Sequence, residues 1–224
     1  MKMIQLGSIT LLVFFMTMCG LDKERATEES AQAAEKQQTA QLDGLSKAYF
    51  ASGCFWCVEA IFESVRGVEE AISGYSGGSQ NNPTYRQVSY GQTSHAEAVE
   101  VYYDPKVVSY ETLVKVYYGS HDPTTVDGQS PDFGRQYRSM IYYQNEEEKK
   151  IADGFKAKLE TSGQYDEPIA TEIVPFVKFW IAEEYHQDYE KRNPNQPYVR
   201  NVSVPRLKRF QKKFPELLKE KSSH

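Results

Sequence analysis

Two of the three cysteines stand in the run Gly53-Cys54-Phe55-Trp56-Cys57. Val58, Ile61, Phe62 and Val65 follow at helical spacing and stop at Gly67, so a helix begins near Cys54. Thiols three residues apart at a helix start share one face and lie within disulfide reach. The helix N-terminus leaves unpaired amide N–H groups and a positive partial charge beside Cys54, which favours its thiolate and makes it the nucleophile. Cys57, one turn deeper, is placed to attack whatever forms on the first sulfur. The pair alone points to thiol redox chemistry and leaves a structural disulfide and a zinc half-site open. A structural bridge would close a loop of about four residues, the kind that stabilises least. For zinc there is no second cysteine pair, and His95, His121 and His186 show no matching spacing.

The elements around this pair read as follows. Ala48 to Ala51 is a short apolar run ending at Gly53, consistent with a buried strand. Gly74, Gly77, Gly78 and the polar stretch to Pro83 predict a long irregular loop, and His121 to Gly134 another. Ala98 to Tyr103 alternates into Asp104-Pro105 as a strand entering a turn. Ser109 is a good N-cap for a helix carrying Leu113, Val114 and Tyr117. Tyr137 to Tyr143 reads as a strand, Ile151, Phe155 and Leu159 mark a helix, and Ile169 to Val174 is a strand stopped by Pro175. Irregular alternation without a repeat predicts one α+β domain, a mixed sheet flanked by helices with long loops between them.

The 224 residues carry a net charge of −5, which gives no reason to expect a nucleic-acid partner. Lys2 followed by the apolar run Ile4 to Met18 reads as an export signal over residues 1–18, too short and interrupted to span a membrane comfortably. Cys19 directly after it resembles the lipid-attachment cysteine of bacterial lipoproteins, although Met16-Thr17-Met18 matches the small-residue pattern poorly. The expected location is the periplasm or cell envelope. Residues 19–46 are rich in Ala, Gln, Glu and Thr and read as a flexible tether. The domain is expected over 47–203. Residues 204–224 then form a basic C-terminal helix and tail, with Leu207, Phe210 and Phe214 at helical spacing beside a solvated face.

The wider sequence decides among the chemistries. Gly53-Cys54-Phe55-Trp56-Cys57-Val58-Glu59 resembles the active-site signature of the A-type peptide-methionine sulfoxide reductases. Gly74-Tyr75-Ser76-Gly77-Gly78, Asn82-Pro83-Thr84-Tyr85, His95-Ala96-Glu97 and Tyr103-Asp104-Pro105 follow in that family's order. So do His121-Asp122-Pro123-Thr124, Asp132-Phe133-Gly134-Arg135-Gln136-Tyr137-Arg138-Ser139 and Ala182-Glu183-Glu184-Tyr185-His186-Gln187. These blocks span roughly residues 48 to 190. The family's fold is a two-layer sandwich with a ferredoxin-like core, which becomes the expectation here.

The resemblance implies thiol-dependent reduction of methionine S-sulfoxide, free or in proteins, with no metal and no cofactor. Cys54 would be the nucleophile, Cys57 the resolving thiol and Glu97 the proton donor. Tyr85 and Tyr137 would hydrogen-bond the departing oxygen, and Asp132 would help orient the cluster. Phe55 and Trp56 would grip the substrate's terminal methyl, a thioredoxin-like donor would recycle the disulfide, and a monomer is expected. Taken alone, Glu97 is an edge carboxylate, Asp132 a turn aspartate, the tyrosines and Phe55/Trp56 packing residues, and the histidines scaffold. Ser94 and Ser130 depart from a common family glycine, and Cys57 replaces a glycine found in many relatives with C-terminal resolving cysteines. No cysteine follows Cys57, so resolution falls to it or to an external thiol. The rivals are a thioredoxin-like disulfide oxidoreductase, which would not need Glu97, and a non-catalytic peptide-binding module.

Overall fold

In a computed structural model of the chain, residues 42–220 are described. The expected export signal, Cys19 and the expected tether as far as residue 41 lie outside the described residues. Strand β1 (Ser46–Ala51) shows the two-residue period of a pleated strand. Ala48 and Phe50 face one apolar cluster, and Tyr49 and Ala51 face a second on the other side of the sheet. Helix α1 (Phe55–Glu63) follows with Cys54 as its N-cap, and strand β2 (Val68–Ser76) returns. Further along come α2 (Tyr85–Ser89), β3 (Ala96–Tyr103) and α3 (Tyr110–Gly119). The Ser109 side chain caps α3 by accepting from the Thr112 amide, as its position in the sequence suggested.

A small hairpin, β4 (Gly128–Gln129) with β5 (Asp132–Phe133), precedes a 3-10 turn at Arg135–Tyr137 and strand β6 (Met140–Tyr143). Then follow α4 (Glu146–Thr161), β7 (Glu172–Pro175) and β8 (Trp180–Ile181). After these come α5 (Tyr189–Arg192), a π-helical turn at Val199–Ser203, α6 (Val204–Lys213) and a 3-10 turn at Pro215–Leu217.

The sheet order is β7-β6-β1-β3-β2-β8, antiparallel except for the parallel β6–β7 edge. β3 lies between β1 and β2, so β1-α1-β2 is a split β-α-β unit, the signature of a ferredoxin-like core. Phe50 stacks against Phe62 of α1 and Tyr117 of α3 with ring centroids 4.9 and 5.4 Å away, which places both helices on one face. The opposite face is covered by a strap of chain, with Phe176 stacked on Tyr49 at 3.8 Å.

Three sequence expectations need correction. The stretch from Gly74 opens as strand, because β2 runs through Gly74 to Ser76. A Cβ at Gly74 would collide with the Phe179 ring and the Trp180 carbonyl, so this glycine marks a close approach of β8 and not a loop. The segments 137–143 and 169–174 contain strands that start three residues later than read, at Met140 and Glu172. The C-terminal helix is no appendage after residue 203. It packs on α1, with Phe210 1% exposed and Arg206 buried, and one compact unit runs from Leu45 onward.

Candidate active site

The site forms where α1 leaves β1. Gly53 adopts a left-handed φ of +83°, and its amide donates to the Tyr137 carbonyl at 3.0 Å. That turn delivers Cys54 to the N-cap of α1 and brings the 3-10 turn carrying Tyr137 beside it. The Phe55 amide, which α1 leaves unpaired, donates to Glu97 Oε2 at 3.1 Å. Glu97 comes from β3 and is 2% exposed. Its other oxygen, Oε1, has no hydrogen-bond partner among the described residues. Burial pushes the Glu97 carboxyl up to about 8, against the pull of that amide, so the group is protonated at neutral pH.

Both cysteines are reduced and buried. Burial and the neighbouring Cys57 push Cys54 well up, whereas the hydrogen bond from Cys54 lowers Cys57, aided by Arg206, Ser203 and Tyr198 against the cost of burial. The two thiols act on each other, so these are properties of the pair: the first proton leaves more readily than from an ordinary thiol and the second less readily. This departs from the expectation that the helix end acidifies Cys54. The first free amide of α1 is spent on Glu97, and the stabilising groups lie on the Cys57 side.

Tyr85 opens α2, and Thr84 caps that helix in a reciprocal capping box. Its amide donates to Glu183 Oε1 at 2.9 Å, and its ring lies 4.2 Å from His186 and 6.2 Å from Phe55. Burial first, then the charges of Glu97, Cys54 and Asp132, raise the hydroxyls of both Tyr85 and Tyr137, so both remain donors. Separate stretches of sequence carrying Cys54, Tyr85, Glu97 and Tyr137 therefore converge on one point.

Asp132 is raised by its partial burial and accepts a hydrogen bond from the Tyr198 hydroxyl. Tyr198, which the sequence did not single out, also approaches Cys57 Sγ at 4.0 Å and hydrogen-bonds the thiol pair. Asp132 thus meets the cysteines through Tyr198. Phe55 is 1% exposed and packed among Tyr75, Tyr85 and His186. Trp56 is only partly buried, stacked on Tyr189 at 3.8 Å with its Nε1 donating to His186 Nδ1 at 3.2 Å. Of the two proposed substrate-gripping rings, Trp56 offers more open surface.

The histidines behave as scaffold. His95 is tied at both ring nitrogens, accepting from the Gly78 amide and meeting the Gln80 carbonyl. Burial lowers His186 to about 4 and His121 to about 3, which keeps both neutral. Away from the thiols, Glu59, Glu63 and Asp188 bring carboxylate oxygens within 4.8 Å of one another. Lys191 already bridges Glu63 and Asp188 at 2.8 and 2.7 Å, so an ammonium supplies the cation there.

The family described as "Peptide methionine sulfoxide reductase" matches residues 46–218. The peptide methionine sulfoxide reductase MsrA 1 of Rhodopirellula baltica is 47% identical over 176 residues, covering 79% of this chain and 91% of the relative. MsrA of Thermus thermophilus is 45% identical over 172 residues, covering 77% and 97%. Among solved structures, methionine sulfoxide reductase A of Corynebacterium diphtheriae aligns with a TM-score of 0.62 at 36% identity, covering 69% of this chain and 77% of that one. Reduced Mxr1 of Saccharomyces cerevisiae aligns at 0.60 and 33% identity, covering 68% and 87%.

Proposed function

The chain belongs to the peptide methionine sulfoxide reductase family, and from that premise we propose how its side chains divide the reaction. It is an oxidoreductase that uses its thiols to reduce methionine sulfoxide to methionine. The observation that carries the reading is the Glu97 carboxyl, buried, neutral and held by the amide next to Cys54.

Cys54, as thiolate, attacks the sulfoxide sulfur. Glu97 protonates the oxygen as negative charge develops on it, and the Tyr85 and Tyr137 hydroxyls donate hydrogen bonds to it. Methionine departs and the oxygen stays on Cys54 as a sulfenic acid. Cys57 then condenses with that sulfur, water leaves, and the disulfide is reduced by a thioredoxin-like dithiol through exchange. The open face of Trp56 suits the substrate's methyl group. The substrate is the S epimer, since each epimer has its own enzyme type.

The deciding assay incubates the purified protein with resolved methionine sulfoxide epimers and dithiothreitol. Consumption of the S epimer alone is expected, and consumption of neither would overturn the reading. A plain disulfide oxidoreductase would show no such stereochemical preference. From the apolar run over residues 4–18 and from Cys19 we also infer export to the cell envelope, with lipid on Cys19, and a monomeric state. Mass spectrometry of the mature N-terminus and light scattering test these two points.

A further inference from the structure

Arg206, on α6, is buried and takes no part in the scheme above. Its Nε donates to the Ser120 carbonyl at 2.9 Å, and its Nη2 donates to the Ser52 carbonyl and hydroxyl at 3.0 and 3.3 Å. Every one of these partners is neutral. No carboxylate lies within 4.0 Å of the guanidinium among the described residues. Its Nη1 points toward the active-site turn, 3.4 Å from where a Cβ on Gly53 would stand. A buried cation with only neutral partners is costly unless an anion forms beside it.

Two anions can form near it, the Asp132 carboxylate and the Cys57 thiolate, and the groups facing Cys57 bear on the second. They are Cys54 on the same helix, Glu97 from β3, Glu190 from α5, Tyr198 and Ser203 from the segment leading into α6, and Arg206 itself. Burial holds Glu97 up at about 8 and Glu190 up at about 7, and raises the Tyr198 hydroxyl far beyond reach. Arg206 carries the permanent positive charge of this cluster, and it draws down both Cys57 and the Asp132 carboxylate that Tyr198 links to the thiols. Cys57 Sγ meanwhile donates to Ser203 Oγ at 3.2 Å, and Ser203 is fully buried.

We propose that Ser203 and Arg206 are positioning residues that hold Cys57 as the attacking thiolate of the recycling step. The inference rests on the assignment of Cys57 as resolving thiol. Ser203 accepts the S–H while Cys57 is a thiol and turns its own O–H toward the sulfur once the thiolate exists. The thiolate then attacks the Cys54 sulfenic sulfur. The S–S bond forms, the S–O bond breaks, and the departing hydroxide combines with the proton that Cys57 gave up to leave as water. The Cys57 lone pair becomes the S–S bond while the S–O pair leaves with the oxygen, so the step needs no external oxidant. A C-terminal segment without a cysteine of its own thereby serves the resolution step by activating Cys57.

The test is a single-turnover experiment on the full chain, with methionine release and disulfide formation followed separately across pH. In Arg206→Gln the midpoint for disulfide formation should rise by about one pH unit, with the step roughly tenfold slower near neutrality, since each unit is a tenfold change in thiolate fraction. Arg206→Lys should restore most of the loss, and Ser203→Ala should give a smaller shift of the same sign. Midpoints unmoved in both Arg206→Gln and Ser203→Ala overturn the proposal. Because Arg206 also ties two loops together, a second measurement leaves it intact. In a Cys54→Ser background the ultraviolet thiolate absorbance of Cys57 should titrate at lower pH than in Cys54→Ser/Ser203→Ala. Equal midpoints overturn the proposal. Failure of the parent to release methionine sinks the functional reading instead, whereas release with unmoved midpoints sinks only this inference.

Discussion

Two buried carboxyl groups lie along α1, and burial pushes both up to about 8, yet their surroundings differ. Glu97 meets the first turn of the helix, where it accepts one amide, keeps its second oxygen free and faces a thiol and two tyrosine hydroxyls. Glu59 sits on the helix itself and accepts from the Ser73 hydroxyl, with Glu63, Asp188 and Lys191 beyond it. It faces no nucleophile. A raised pKa therefore reports burial, and chemistry requires in addition a reactive neighbour and an unfilled hydrogen-bonding position.

The sharpest way to break this comparison is to neutralise each carboxyl in turn. Glu97→Gln should lower kcat about 10²–10⁴-fold at neutral pH, the range for a positioned proton donor. Steady-state release of methionine checks this, and a near-parental rate would remove Glu97 from the mechanism. Next in size is the hydroxyl linking Asp132 to the thiols. Tyr198→Phe should slow turnover about tenfold, the worth of one hydrogen bond to a charged group, with little change in KM.

Glu59→Gln should leave turnover at pH 7 close to parental and act on stability instead. Its folded pKa is raised from 4.5 to about 8, so its contribution is fully present below 4.5 and is lost as pH rises through 8. Removing this group should flatten the pH dependence of unfolding by up to about 1.4 kcal/mol per pH unit within that window. Urea titrations at several pH values measure it. If Glu59→Gln impaired turnover as severely as Glu97→Gln, the contrast between the two sites would collapse.

The same contrast shows what the sequence made legible. The apolar period of α1, the Ser109 cap and the alternation in β3 are local signals, and each produced the element it suggested. The cysteine spacing exposed the chemistry class, and the collinear blocks exposed the partners that tertiary folding assembles. What stayed hidden depends on contacts distant in sequence. Gly74 looked like a loop residue because its reason for being glycine is Phe179, far along the chain. Tyr198, one of sixteen tyrosines, lies beyond the last recognised block, and Arg206 fell in a terminal helix whose basic residues were read as its solvated face. The packing of α6 against α1 places Arg206, and the π-helical turn joined to α6 carries Tyr198 to the cysteines. The acidity of the thiol pair was misjudged for a similar reason, since nothing local says that Glu97 claims the first free amide.

The central claim is that a neutral Glu97 hands its proton to the sulfoxide oxygen while Cys54 attacks the sulfur. It is tested most directly by the pH dependence of methionine release in a single turnover, measured for the parent and for Glu97→Gln. The parent rate should fall as pH rises through about 8, where Glu97 loses its proton, and the slow Glu97→Gln rate should lack that fall. A Glu97→Gln protein that reacted at the parental rate and kept the same alkaline decline would contradict the account.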